Sequence, residues 1–279
     1  MIKIISYGDR LEKGNYKIHS RFKKAVNFIS RESIATIVNE EIGSGPINIV
    51  VNHVNLNNIW SLTINDNCLV LNDTRLDVDV SKRFISRIEC ENVDRGNFNR
   101  NLDFFEKCLI EISPPKSLIF LLDDNRKVNF KTSFEKEFVK RFEIGTTKIF
   151  SSEYIDGIRM IMGAGFGFTP SGDDFICGLL IALNIARKLF KLDLTEPINK
   201  IYNTARGNNS ISNAFLLCAK EGMMFEKFKK LVYSILYQGI EEIIDSNSGV
   251  VSVGETSGAD MGIGFLMGLK KRSAILING

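Results

Sequence analysis

The residues best suited to chemistry are concentrated in Gly163-Ala-Gly-Phe-Gly-Phe-Thr-Pro-Ser-Gly-Asp-Asp174, ahead of the uncharged run Phe175 to Ala186. Glycines such as Gly165, Gly167 and Gly172 let backbone N–H groups approach an anion, and Thr169 and Ser171 add hydroxyls. The N-terminus of the following helix contributes unsatisfied donors and the positive end of its dipole. A cradle for phosphate or carboxylate is one reading. The acids open others. Asp173 and Asp174 fall in the first helical turn, where carboxylates are favoured without any ligand. Alternatively they hold Mg²⁺ beside an anionic substrate, since magnesium takes one or two carboxylates plus substrate oxygens.

The stretch has an echo. Glu255-Thr-Ser-Gly-Ala-Asp260 matches it at a constant offset, aligning Ser171 with Ser257, Gly172 with Gly258, Asp174 with Asp260, Gly178 with Gly264 and Leu183 with Leu269. Two helices in close contact through Gly178 and Gly264 would bring both loops to one end of a bundle. A composite site would then offer hydroxyls from Ser171, Thr256 and Ser257, backbone donors from both loops, and Asp174 and Asp260 to orient a nucleophile or bind metal. The alternative is structural: each Ser caps its helix, each Gly relieves crowding and each Asp answers the dipole. Duplication and convergent packing both account for the echo.

Between the copies, Asn203-Thr-Ala-Arg-Gly-Asn-Asn-Ser-Ile-Ser212 is a polar break before a helix, with Ser210 or Ser212 expected as its N-cap. Arg206 is either an oxyanion ligand, through its planar fork, or an exposed surface residue. His19 and His53 sit in expected strands without a sequence-near partner for a relay or metal site.

Composition narrows the function classes. The chain has 279 residues and a net charge of only +3, with both signs interspersed, so neither nucleic acid nor an anionic membrane is an expected partner. A small anionic substrate fits better. Five scattered cysteines without a C-x-x-C pair argue against a disulfide framework or zinc site and point to a reducing cytoplasm. The N-terminus lacks a secretory pattern, and Phe175 to Ala186 falls short of the roughly 20 residues of a membrane span.

The elements that must position these residues divide by period. Residues 1–100 read as an antiparallel β lobe, with strands in Lys17 to Ser30, Ile47 to Val54, a hairpin around Asn65-Asp-Asn67, and Arg75 to Glu89. Its sheet is expected to be barrel-like or covered by the second half. Residues 101–279 read as mainly helical. Asp103 to Glu111 is a helix stopped by Pro114-Pro115, and Ser117 to Leu122 is strand or helix. Phe134, Phe138, Val139 and Phe142 share a helical face expected in the core, Glu153 to Met162 leads into the glycine loop, and Ile211 to Gly222 is a further helix. Phe228 to Ile243 keeps a 3.6-residue period over five turns. The fold class is α+β.

The run Gly165-Phe-Gly-Phe-Thr-Pro-Ser-Gly-Asp-Asp-Phe-Ile-Cys-Gly178, with Gly254-Glu-Thr-Ser-Gly-Ala-Asp260 downstream, resembles the AllH family over most of the chain. One departure is Phe168, where the family commonly has leucine. The resemblance implies a subunit of oxamate carbamoyltransferase, acting with two other subunit types to convert oxalurate and phosphate into oxamate and carbamoyl phosphate in anaerobic allantoin breakdown. Carbamate kinase then uses the product. Such a transfer passes through a tetrahedral oxyanion and needs no protein nucleophile when phosphate attacks directly. The other class of function is a non-catalytic subunit whose loops hold an anion or nucleotide.

Overall fold

The structure is a computed structural model that describes residues 2–52, 55–271 and 275. His53 lies outside the described residues. The chain is α+β, as its sequence periods predict, and divides into two units. One comprises Met1–Arg87 and Met223–Lys229, the other Ile88–Gly222 and Lys230–Gly279.

The first unit is a sheet of nine strands among the described residues: β1 (Ile4–Gly8), β2 (Gly14–Phe22), β3 (Ala25–Ser30), β4 (Ser33–Val38), β5 (Asn48–Val51), β6 (Leu62–Ile64), β7 (Cys68–Leu71), β8 (Thr74–Asp77) and β9 (Arg83–Phe84). Their order is β8-β7-β6-β2-β3-β4-β5-β1-β9, curled into a half-barrel. Lys17 to Ser30 supplies the antiparallel pair β2 and β3, and Arg31 (φ 56°) helps turn the chain so that Ser30 faces Ser33. Asn72, also at φ 56°, does the same between β7 and β8. Asparagine and other polar residues tolerate this left-handed conformation at tight hairpin turns. The sheet is antiparallel except at two places, where β4 pairs β5 and β1 pairs β9 in parallel. Alternation within a strand reports its buried face and not the direction of its neighbour, so the sequence pattern could not separate these pairs. Val26, Phe28, Ile37, Ile49, Leu62 and Leu71 form the centre of the sheet's core.

The second unit holds helices α1 (Arg95–Ile112), α2 (Ser133–Ile149), α3 (Tyr154–Ile161), α4 (Ser171–Phe190), α5 (Thr195–Ala205), α6 (Ser210–Lys220), α8 (Ile240–Val251) and α9 (Ser257–Lys270); α7 (Glu226–Tyr237) starts in the first unit and ends here. Asp94 caps α1, accepting the Asn97 N–H, and the chain leaves at Ser113 before the two prolines. Ser117 to Leu122 resolves into a 3-10 turn over Leu118–Leu121. A Thr132/Glu135 capping box starts α2, whose Phe138, Val139 and Phe142 are buried. Phe134 departs from the expectation at 72 % exposed, because it stands in the first turn beyond the end of that core. The long period from Phe228 to Ile243 belongs to two helices. Gly239 breaks it in an extended conformation and caps α8, donating its N–H to Glu242. The apolar spacing runs through the break because both helices bury a face.

α4 is buried almost all round and packs along α9. A Cβ at Gly178 would lie 1.9 Å from the Met261 carbonyl oxygen, and one at Gly264 would lie 2.0 Å from that of Phe175. Only hydrogen at both positions permits this backbone approach. The two helices therefore start side by side, and their preceding loops meet.

Candidate functional site: two converging Ser-Gly loops

Each loop grips the helix before it in the same way. Gly172 donates its N–H to Ala164 (2.8 Å) and Gly258 donates to Val253 (3.1 Å). A Cβ on Gly172 would sit 1.8 Å from the Ile161 carbonyl oxygen at the end of α3, and one on Gly258 would sit 1.9 Å from that of Val250 at the end of α8. Ser171 and Ser257 are the first residues of their helices, and the capping positions fall to Pro170 and Thr256, neither of which makes a side-chain cap. The serines are thus not the caps that a structural reading expects. Pro170, in extended conformation, brings no N–H to the start of α4, and Ser171 is buried.

The hydroxyls and carboxyls cross between loops. Thr169 donates through Oγ1 to Asp174 Oδ2 at 3.1 Å, and the same Oγ1 lies 3.0 Å from Ser257 Oγ of the other loop. Asp260 accepts the Leu118 backbone N–H on Oδ1 at 2.7 Å. Its Oδ2 is fully buried without a hydrogen bond of good geometry, although the Ser171 and Thr256 hydroxyls are near enough to lower the pKa. Each acid is therefore flanked by a threonine of its own loop and a serine of the other, with Ser257 near Asp174 and Ser171 near Asp260.

Both acids are 4 % exposed or less. Burial raises the Asp174 pKa to about 7 against the pull of the Ser257 and Thr169 hydroxyls, and the adjacent Asp173 charge adds to the rise. Burial likewise raises Asp260 to about 7 against the Leu118 N–H, with the Asp174 charge adding to the rise. Two carboxyls that repel one another in a dry environment do not both ionise readily. The pair holds protons near neutrality, where general acids and bases are most effective.

Asp173 has other partners. Its Oδ1 accepts the Gly163 N–H at 2.7 Å, and the Ser212 hydroxyl lies close by; burial raises its pKa against both. Asp173 and Asp174 turn to different partners. Among the described residues there is no group of three or more His, Cys, Asp or Glu side chains placed to hold a metal ion.

The tip of the first loop, Gly165 to Phe168, is exposed. Gly165 (φ +143°) and Gly167 (φ +111°) adopt conformations that other residues rarely reach, and a Cβ at Gly165 would meet the Ser171 nitrogen at 2.3 Å. Phe166 packs against the rings of Phe134 (5.7 Å) and Phe138 (5.2 Å), which explains what the exposed Phe134 is for. Asn209 donates from Nδ2 to the Phe168 carbonyl at 2.9 Å while its Oδ1 caps α6 by accepting the Ile211 and Ser212 N–H groups. Asn209, and neither Ser210 nor Ser212, is the cap of this helix. Its rank among N-cap residues was the available signal. Leu118 gave none, because its contribution is a backbone N–H.

Arg206 ends α5, exposed, with its guanidinium 5.9 Å from the centre of the Tyr202 ring. His19 is exposed in β2 beside Ser20. A cleft of about 360 Å³ in the helical unit, lined by Asp124, Glu143, Phe150, Lys271 and neighbours, includes no residue of either loop. The polar convergence is the stronger candidate site, since paired buried acids beside hydroxyls are a commoner mark of chemistry than a cleft alone. None of the five cysteines is in a disulfide. No helix among the described residues is long and apolar enough to cross a membrane.

The fold and the site define an α+β protein whose helical unit presents two matched acid loops at the joined ends of two helices. The model of the oxamate carbamoyltransferase subunit AllH matches residues 161–269, and that of the AllH family N-terminal domain matches residues 3–91. Together they cover more than half of the sequence, and the chain belongs to the AllH family, a family of carbamoyltransferase subunits. The first match starts at Ile161, whose carbonyl meets Gly172, and contains both loops. No curated protein and no solved structure matches the chain.

Proposed function

We propose that this subunit works within a complex of three subunit types that transfers the carbamoyl group of oxalurate to phosphate, giving oxamate and carbamoyl phosphate in anaerobic allantoin and purine breakdown. The observation that carries the reading is the convergence of the two Ser-Gly-x-Asp loops over a buried acid pair, inside the segment matched by the subunit family. Attack by phosphate on the carbamoyl carbon builds negative charge on its oxygen, and donors fixed in advance lower that barrier most. The glycine-built tip from Gly165 to Phe168 and the hydroxyls of Thr169, Thr256 and Ser257 serve as the anion cradle, with Ser171, Gly172 and Gly258 fixing its base.

The acids suit this task because both substrates are anions. Two ionised carboxylates under the cradle would repel them. Asp174 and Asp260 keep protons up to about pH 7, which removes much of that repulsion and leaves acid–base capacity where the leaving nitrogen needs a proton.

The test is made on the assembled complex, following carbamoyl phosphate formation from oxalurate and phosphate. Asp174→Asn and Asp260→Asn complexes that assemble normally are expected to lose about 10²-fold or more of the rate. Full activity in both would discard the site. Anion binding that persists without turnover in any form of the complex would favour the non-catalytic subunit.

A further inference from the structure

Asp174 is 4 % exposed and has no route of its own to a ligand. What it has is Thr169 Oγ1 on Oδ2 at 3.1 Å, and beyond that Ser257 Oγ at 3.0 Å. Thr169 and Ser257 are both partly exposed. A hydroxyl carries one proton and two lone pairs. When Asp174 is ionised, the Thr169 proton lies on the carboxylate, so the contact to Ser257 is made by the Ser257 proton. When Asp174 is neutral, its proton can lie on Thr169 and the Thr169 proton on Ser257. The three groups form a chain that runs in either direction.

We infer that Thr169 and Ser257 are a two-link proton wire joining buried Asp174 to the ligand-facing side of the paired loops, with Ser257 as the group that touches substrate. The other loop differs. The serine beside Asp260 is Ser171, itself 4 % exposed, and Asp260 Oδ1 is committed to the Leu118 N–H. Thr256 stands near Asp260, but Asp260 Oδ2 makes no hydrogen bond to it, whereas Asp174 Oδ2 holds Thr169 directly, so Asp174 is the acid that the wire serves.

The inference rests on the carbamoyl-transfer reading, and its balance closes. Hydrogen phosphate forms a P–O–C bond to the carbamoyl carbon, and the bond from that carbon to the oxamate nitrogen breaks with its electron pair going to nitrogen. Ser257 gives its proton to that nitrogen. The Thr169 proton passes to Ser257 and the Asp174 proton to Thr169. The proton released by hydrogen phosphate then restores the wire, and the net reaction moves one proton from phosphate to the leaving amide.

In the assembled complex, kcat and KM for carbamoyl phosphate formation are measured in H₂O and D₂O for the wild type, Thr169→Val, Thr169→Ser and Ser257→Ala. Thr169→Val keeps the shape and removes the link. It and Ser257→Ala are expected to lower kcat by about 10²-fold with KM for either substrate little changed, and Thr169→Ser to recover most of the loss. The wild-type proton inventory is expected to be bowed, with more than one proton in flight, and that of Thr169→Val to be linear. Wild-type kcat in Thr169→Val, or Thr169→Ser as slow as Thr169→Val, overturns the wire. If Thr169→Val does not assemble, Ser257→Ala decides alone by the same kcat criterion. A wild-type complex that forms no carbamoyl phosphate overturns the transfer reading and the wire with it, whereas an active complex indifferent to these substitutions overturns the wire only.

Discussion

The two Ser-Gly loops share their anchors and differ in what hangs from them. Both glycines at the anchors touch the carbonyl that ends the preceding helix, and both helices touch again at Gly178 and Gly264. Eight positions separate Ala164 from Gly172, whereas five separate Val253 from Gly258. The longer first loop carries Gly165 and Gly167 at positive φ, with exposed Phe166 between them and exposed Phe168 after them. Where backbone meets backbone the loops are held alike, because any added atom collides; where the chain leaves that contact, the first loop is the longer and ends in an exposed tip.

This contrast can be broken by measurement. The largest effect expected is on pH dependence. Each buried acid has a folded pKa of about 7, above the usual 3.8, so the folded state keeps a proton that the unfolded chain releases. The stabilisation is complete below about pH 4, declines as pH rises to about 7 and is flat above, by roughly 4 kcal/mol for one such carboxyl. Subtracting the melting curves of Asp174→Asn and Asp260→Asn from wild type across this range should expose the decline in both. A decline missing for one of them would end the equivalence of the two acids.

Next come the helix contacts. Gly178→Ala and Gly264→Ala should each cost about 3 kcal/mol, seen as Tm falls of roughly 6–12 °C. Equal falls support the paired geometry, and a neutral result at either position would contradict it. A smaller effect separates Asp260→Ala from Asp260→Asn. Alanine strands the buried Leu118 N–H and should lose about 1–3 kcal/mol more than asparagine, which keeps an acceptor there. Of similar size is the difference at the loop turns. Gly254 lies at φ +65°, so Gly254→Asn should change Tm little, whereas Gly165→Asn, at φ +143° and crowded by the Ser171 nitrogen, should cost on the order of 1–3 kcal/mol and open the tip to proteolysis.

Much of this arrangement was legible in the sequence because it repeats. The offset that aligns Ser171 with Ser257 also aligns Gly178 with Gly264, and glycine at matched helix positions is a direct statement about close approach. The crossing was not legible. Which acid meets which hydroxyl depends on how two helices starting 86 positions apart face one another, and a Thr169 contact to Ser257 leaves no local pattern. The Phe134 position misled for a related reason: its spacing fits the buried face of α2, but the face ends one turn below it and the ring serves Phe166 instead. The period from Phe228 to Ile243 misled because two helices in series preserved it across Gly239.

The pairing of α4 with α9 also sets the order of events during synthesis. α4 leaves the ribosome with almost no polar face and must wait for some seventy residues of chain before the backbone it is shaped to touch has been made. Bringing such distant segments together costs chain entropy that grows only slowly with the intervening length, so the delay is one of translation more than of equilibrium. Until then one acid loop exists and its counterpart does not. A nascent or truncated chain that lacks α9 therefore carries an apolar helix without its partner and one loop without the other.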